Sequence, residues 1–581
     1  MLSDNKIWFA KSGDEKISIL PKMANRHGMI AGATGTGKTV TLKVLAESFS
    51  SCGVPVFLAD VKGDLAGMCN PGIETEDMAK RIERFGLASE GFQFTEYPTI
   101  FWDVYGEKGL PLRTTISEMG PILLSRILGL NEIQSAILSV IFKIADDEGL
   151  LLIDTKDFRS MLTYVGENAK DYSLKYGNMS SQSLGSIIRS VIALESEGGD
   201  LFFGEPALDI RDWISCDYTG KGNINVLDCQ KLINNPTMYS TFLLWMLSEL
   251  YETLPEAGDL ERPRIVFFFD EAHMLFDSAP KALLDKIEQI VKLIRSKGVG
   301  VFFITQNPKD IPNGVLSQLG TKIQHALRAY TPAELKSAKA AAESFRENPA
   351  FNTFDTLTEL GIGEALVSVL DEKGIPTVVE RCNILPPQSQ MGAIDDAVRD
   401  SKIKSAMLYI KYVETVDRDS AYEFLNRKAI SDAEEKKRAE EVARLEKQRA
   451  AEEAAALKEA QRQAEAERKA AERAEIAAEK EAQRQAEAER KAAEKAELAA
   501  QKAAEKEALA KLKEEEKKKA AQQRAVKNAG KSVASSVAGT LGREAGKSLG
   551  KSVGGTFGKT LGGNVGASLG RGIIGTLFSR R

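Results

Sequence analysis

Eight consecutive residues, Gly32-Ala33-Thr34-Gly35-Thr36-Gly37-Lys38-Thr39, fit the pattern G-x-x-x-x-G-K-[ST]. Glycines at this spacing let the backbone turn tightly, so that successive N–H groups converge on an anion. Lys38 offers a point charge to the terminal phosphates of a nucleotide, and the Thr39 hydroxyl offers a ligand to Mg²⁺. The expectation is a site for ATP with Mg²⁺ as cofactor. Its surroundings agree: the apolar run Gly28–Ala31 enters the loop, and VTLKVLAESF leaves it with helical periodicity. Such a helix would point its N-terminal dipole at the phosphates.

A second half of the site needs a buried strand ending in acids, and Ile265 to Glu271 (IVFFFDE) supplies one. Asp270 is expected to help hold Mg²⁺ and nucleotide, and Glu271 to polarise the attacking water. The tetrapeptide Asp270-Glu271-Ala272-His273 matches a DEAH box, but no two-domain set of helicase motifs follows it. Gln306, at the tip of the run Val299–Thr305, stands where a γ-phosphate sensor belongs. Asp60, Lys62 and Asp64 follow the run Pro55–Ala59 on the expected ligand side, with no role assigned. Arg26, Arg295 and Arg328 are candidates for stabilising transition-state charge.

The elements that must position these residues fill about the first 430 positions. The runs Gly28–Ala31, Pro55–Ala59, Asn223–Asp228, Ile265–Asp270 and Val299–Thr305 are nearly continuous in apolar residues, as strands of a parallel sheet covered on both faces would be. An α/β class follows. Residues 105–215 carry helical periodicity and read as a helical insertion packed beside the sheet. Residues 364–385 read as a hairpin or edge strands closing the domain.

Beyond this the composition changes twice. Residues 431–525 are almost wholly Ala, Glu, Lys, Arg and Gln, and KEAQRQAEAERKAAE begins at Lys458 and again at Lys480, a 22-residue repeat. Twice an 11-residue period favours a straight or slightly right-handed helix. Two readings stand: an alanine-seamed coiled coil, and a solvated single helix laced by i,i+4 Glu–Lys pairs. Residues 526–581 form a basic tail with glycine at every fourth position from Gly542 to Gly570. Such a stripe suits close helix packing or an anionic surface, and equally a flexible low-complexity tail.

A length of 581 residues implies several units, and the net charge of −5 neither requires nor excludes nucleic acid. The five cysteines are scattered, and only three histidines occur, so neither a disulfide framework nor a histidine-rich metal site is expected. With no signal-like N-terminus and no long apolar span, a cytoplasmic protein is expected, with membrane association only through the tail.

Four stretches resemble the HerA/FtsK group of P-loop motor ATPases: Asn25–Thr39, Phe267–His273, Ile294–Pro312 and the return near Thr321–Ala329. The opening LPKMANRHGMIAGATGTGKT and the glycine-striped end are similar to the bacterial HerA-like, YjgR-type proteins. The resemblance covers about residues 1–390. It implies a RecA-like core, usually a hexameric ring that translocates DNA. Carried over by position, Arg26 matches a family arginine directed at nucleotide, and Arg295 another in the run before the sensor strand. Lys38, Thr39, Asp270, Glu271 and Gln306 match the Walker and sensor positions. The barrel that HerA motors carry ahead of this core, with its nuclease docking, is not expected from the thirty residues before the loop. A DNA translocase or helicase working as a homo-oligomeric ring is therefore one expectation. The other is a non-motor NTPase switch that rod and tail recruit to a membrane surface or protein partner.

Overall fold

The loop Gly32–Thr39, Asp270, Glu271 and Gln306 all hang from one sheet. The structure, a computed structural model, describes residues 1–258, 260–277, 281–482 and 506. Its strands, in chain order, are β1 (Leu2–Ser3), β2 (Lys6–Ser12), β3 (Glu15–Ile19), β4 (Gly28–Ala31), β5 (Val56–Asp60), β6 (Thr99–Asp103) and β7 (Leu110–Pro111). They continue as β8 (Ile224–Asp228), β9 (Ile265–Phe269), β10 (Val299–Thr305), β11 (Thr321–His325), β12 (Glu364–Ser368) and β13 (Glu380–Ile384). They lie in the order β1-β2-β13-β12-β11-β4-β10-β9-β5-β8-β6-β7, with β3 paired to β2. From β11 to β7 every pairing is parallel. From β11 outward through β12, β13 and β2 every pairing is antiparallel.

The five strand runs expected from sequence all form. Residues 364–385 do contain a hairpin, but β2 pairs beyond β13, so this hairpin is interior to the sheet and not its edge. The strand β6 and the hairpin of β2 and β3 were not foreseen. The apolar runs of β6 (100–102) and β2 (7–10) are short, and in β3 only Ile17 and Ile19 are apolar.

Side chains alternate across the parallel strands into two cores. On one face Phe57, Phe267, Phe269 and Phe303 join the helices Glu132–Glu148, Thr155–Glu167, Ser181–Leu194 and Pro236–Thr253. The helices of residues 105–215 thus share one core with this face of the sheet. On the other face Leu58, Phe268, Phe302 and Ile304 pack with the helix after the loop, α1 (Lys38–Ser51). The polar residues of α1 are enclosed as well. Lys43 donates to the Gln390 carbonyl at 2.8 Å, and Glu47 accepts from the N–H groups of Gln388 and Ser389. A strap at 388–390 thus fixes the helix that carries Lys38.

The chain divides into two units, Met1–Arg438 and Ala439–Arg581. Described residues of the second belong to the helix Ala421–Ala482, with Lys506 beyond it. Exposed Val442, Leu445 and Leu457 lie on that helix, with i,i+4 pairs such as Lys469 to Glu465 at 3.0 Å. The rod expected past 482 (Lys506 apart) and the glycine-striped tail at 526–581 lie outside the described residues. No helix among the described residues is long and apolar enough to cross a membrane.

Candidate nucleotide site

Four parallel strands end at the same edge, which brings residues far apart in sequence together. The loop leaves β4, Lys62 follows β5, Asp270 and Glu271 follow β9, and Gln306 follows β10. The strand β10 separates β4 from β9, so Gln306 stands between the loop and the acids.

The loop is built on its glycines. Gly32, Gly35 and Gly37 have φ of 152°, 77° and 112°, and a Cβ on Gly32 would lie 2.5 Å from that of His325. The Gly32 N–H donates to the Thr305 carbonyl, and the Ala33 N–H to that of Ala326, tying the loop to both neighbouring strands. Thr36 closes it, its hydroxyl donating to the Ala33 carbonyl at 2.7 Å while its own carbonyl accepts from Gly363. Thr34 and Gly35 form the exposed crest. Below, His325 bridges Thr41 Oγ1 and the Glu364 carbonyl, and burial holds its pKa down at about 4. Nothing in the sequence motif pointed to this histidine.

Lys38 is buried and donates to the carbonyls of Gly32 at 2.7 Å and Ala33 at 3.1 Å. Those oxygens are chemical stand-ins for phosphate oxygens. Burial lowers its pKa, opposed by the charge of Glu271. Thr39 is half-buried in the first turn of α1, where backbone N–H groups have no helical acceptor.

Asp270 accepts from the Glu271 N–H through Oδ1, while its buried Oδ2 has no hydrogen-bond partner. Burial, with the charge of Glu271, raises its pKa to about 6. An unpartnered buried carboxylate oxygen fits a divalent cation, which would restore the ionised form. No group of three or more acid, His or Cys ligands occurs among the described residues. The Asp270 carboxylate and Thr39 hydroxyl are hard oxygen donors of the kind that suit Mg²⁺, which completes its shell with phosphate and water.

Glu271 sits at φ 48° and is nearly enclosed. It pairs with Lys62 through Oε1, and its Oε2 faces Gln306 Nε2 at 3.4 Å and His273 Nδ1 at 3.3 Å. Burial works against its charge, yet the bond to Lys62 together with the charges of Lys62, His273 and Lys38 leaves its pKa lowered. Lys62, without an assigned role in the sequence, thus belongs to the site. Asp60 is instead a turn residue that accepts from the Gly63 and Leu65 N–H groups.

The arginines lie elsewhere. Arg26 precedes β4 and Arg295 precedes β10, at the edge of the sheet opposite the loop. Both line a cavity of about 880 Å³ with Lys22, Lys292, Glu256 and Glu372. Neither reaches the loop of its own chain. Arg328 braces the approach to Gly363 by donating to the carbonyls of Thr358 and Leu360.

The family model described as helicase HerA-like C-terminal matches residues 5–485. The chain belongs to this family. This HerA-like chain is 34% identical over 154 residues to a probable helicase of Methanocaldococcus jannaschii, covering 25% of this chain and 28% of that protein. It is 22% identical over 367 residues to the DNA double-strand break repair helicase HerA of Sulfolobus acidocaldarius, covering 61% and 64%. The chain thus spans less than two thirds of either relative. Among solved structures, the bacterial conjugative coupling protein TrwB matches at 13% identity and TM-score 0.43, covering 64% of this chain and 86% of that one. VirB4 of Thermoanaerobacter pseudethanolicus matches at 17% identity and TM-score 0.43, covering 66% and 96%.

Proposed function

We propose that this HerA-like chain is an ATP-hydrolysing motor with a RecA-like core that works on DNA as a ring, as a translocase or helicase. The observation that carries hydrolysis is the convergence of Lys38, Asp270, Glu271 and Gln306 on one sheet edge, with Gln306 donating to Glu271. The loop from Gly32 to Thr39 wraps the phosphates, Lys38 exchanges its carbonyl partners for phosphate oxygens, and Thr39 with Asp270 holds Mg²⁺. Bound Mg²⁺ supplies Lewis-acid neutralisation of phosphate charge. Glu271 takes the proton of the attacking water, and Gln306 orients that water.

Ring assembly is supported by Arg26 and Arg295. Two arginines at the far edge serve hydrolysis only if they enter the site of a neighbouring copy. In this reading residues 1–430 are the ATPase domain, 431–525 the rod and 526–581 a tail that adds association. The test is ATP turnover of residues 1–430 with and without duplex DNA, alongside its mass in ATP. DNA-stimulated turnover by an oligomer is expected; a monomer indifferent to DNA would sink the motor. The basic tail favours a second reading, a switch docked on anionic lipid. It predicts DNA-independent turnover and liposome binding lost on deleting 526–581.

A further inference from the structure

Glu271 is held more firmly than a general base should be. Both of its oxygens meet protein donors, Oε1 the Lys62 ammonium and Oε2 the Gln306 amide. A base must offer a lone pair to water, and one committed to an ammonium is the least available. The two partners differ in exposure: the Lys62 side chain is 45% exposed and that of Glu271 only 7%. Lys62 can therefore leave, whereas Glu271 cannot.

The turn that carries Lys62 is built to aim it. Asp60 accepts from the Gly63 N–H at 2.7 Å and the Leu65 N–H at 3.1 Å, and Gly63 takes φ 77°. Gln230 donates to the Lys62 carbonyl at 2.8 Å and is itself held by the Lys108 ammonium. The backbone is thus fixed on both sides of a half-exposed side chain. Across the site Lys62 and Lys38 repel each other. An anion seated at Lys38 relieves that repulsion and competes for Lys62.

We propose that Lys62 restrains hydrolysis: its ammonium keeps Glu271 from acting as a base until a phosphate oxygen of the bound nucleotide draws it away. This rests on the reading of Glu271 as the base. Lys62 is a positioning residue here, since it acts through Glu271.

The test is steady-state ATP turnover of the full chain without DNA for wild type, Lys62→Met, Lys62→Arg, Glu271→Gln and the double variant Lys62→Met/Glu271→Gln. Lys62→Met is expected to raise kcat about threefold or more with KM within about twofold. Lys62→Arg keeps the charge and stays slow, and the double variant falls to background. A Lys62→Met rate equal to or below wild type in a chain of unchanged melting temperature would overturn the restraint. So would an equal gain in Lys62→Arg. Turnover retained by Glu271→Gln alone would instead overturn the base assignment beneath it.

Discussion

Lys38 rests on the carbonyls of its own loop, so its charge is already aimed where phosphate oxygens belong. Replacing it with alanine should weaken ATP binding by on the order of 100-fold, measured by calorimetry, with little loss of stability. Gly32→Ala fails differently. Its Cβ would press on that of His325 at 2.5 Å from a φ of 152°, so the melting temperature should fall by an amount corresponding to about 1–3 kcal/mol. Much of the site was readable at this scale, because a phosphate loop is contiguous and its chemistry dictates its spacing. Lys62 and His325 were not readable in the same way. Their roles depend on which strand lies beside which, and no local pattern encodes that neighbour.

Between β4 and β10, His27 is a buried wedge at 2% exposure, with Nε2 2.9 Å from the Val291 carbonyl and Nδ1 accepting from the Val301 N–H at 3.1 Å. Both contacts are met by the neutral ring donating through Nε2. Burial, opposed by the bond to Val291, lowers its pKa to about 4. The folded state therefore binds fewer protons than the unfolded chain between pH 6.5 and 4. The stability from the neutral ring is complete above about pH 6.5 and is lost as pH falls toward 4, by roughly 1–3 kcal/mol. Thermal melts across that range should show this slope flattened in His27→Gln. The element pattern shows where sequence sufficed. Strands covered on both faces, such as Ile265–Phe269, announce themselves by continuous apolar runs. The strand β6 and the hairpin of β2 and β3 do not, and the placement of β13 beneath β2 rests on pairing across some 370 positions. Helical periodicity over 105–215 announces helices there, but not which residues of the sheet share their core.

For the whole molecule, Arg26 and Arg295 decide between a self-contained and a shared site. Mixing a Lys38→Ala chain with an Arg26→Ala/Arg295→Ala chain, each inactive alone, should restore turnover if copies share sites. No recovery is expected from either chain with itself. The rod past residue 482 (Lys506 apart) and the tail at 526–581 enter this account through composition alone. The claim on which everything else depends is that one edge of the sheet binds ATP and breaks it down. Parallel measurement of ATP binding and turnover in wild type and Glu271→Gln addresses it directly. Binding kept within a few-fold and turnover lost by about 100-fold or more is the predicted result. Undiminished turnover in Glu271→Gln, or a wild-type chain that binds ATP without hydrolysing it, would contradict it.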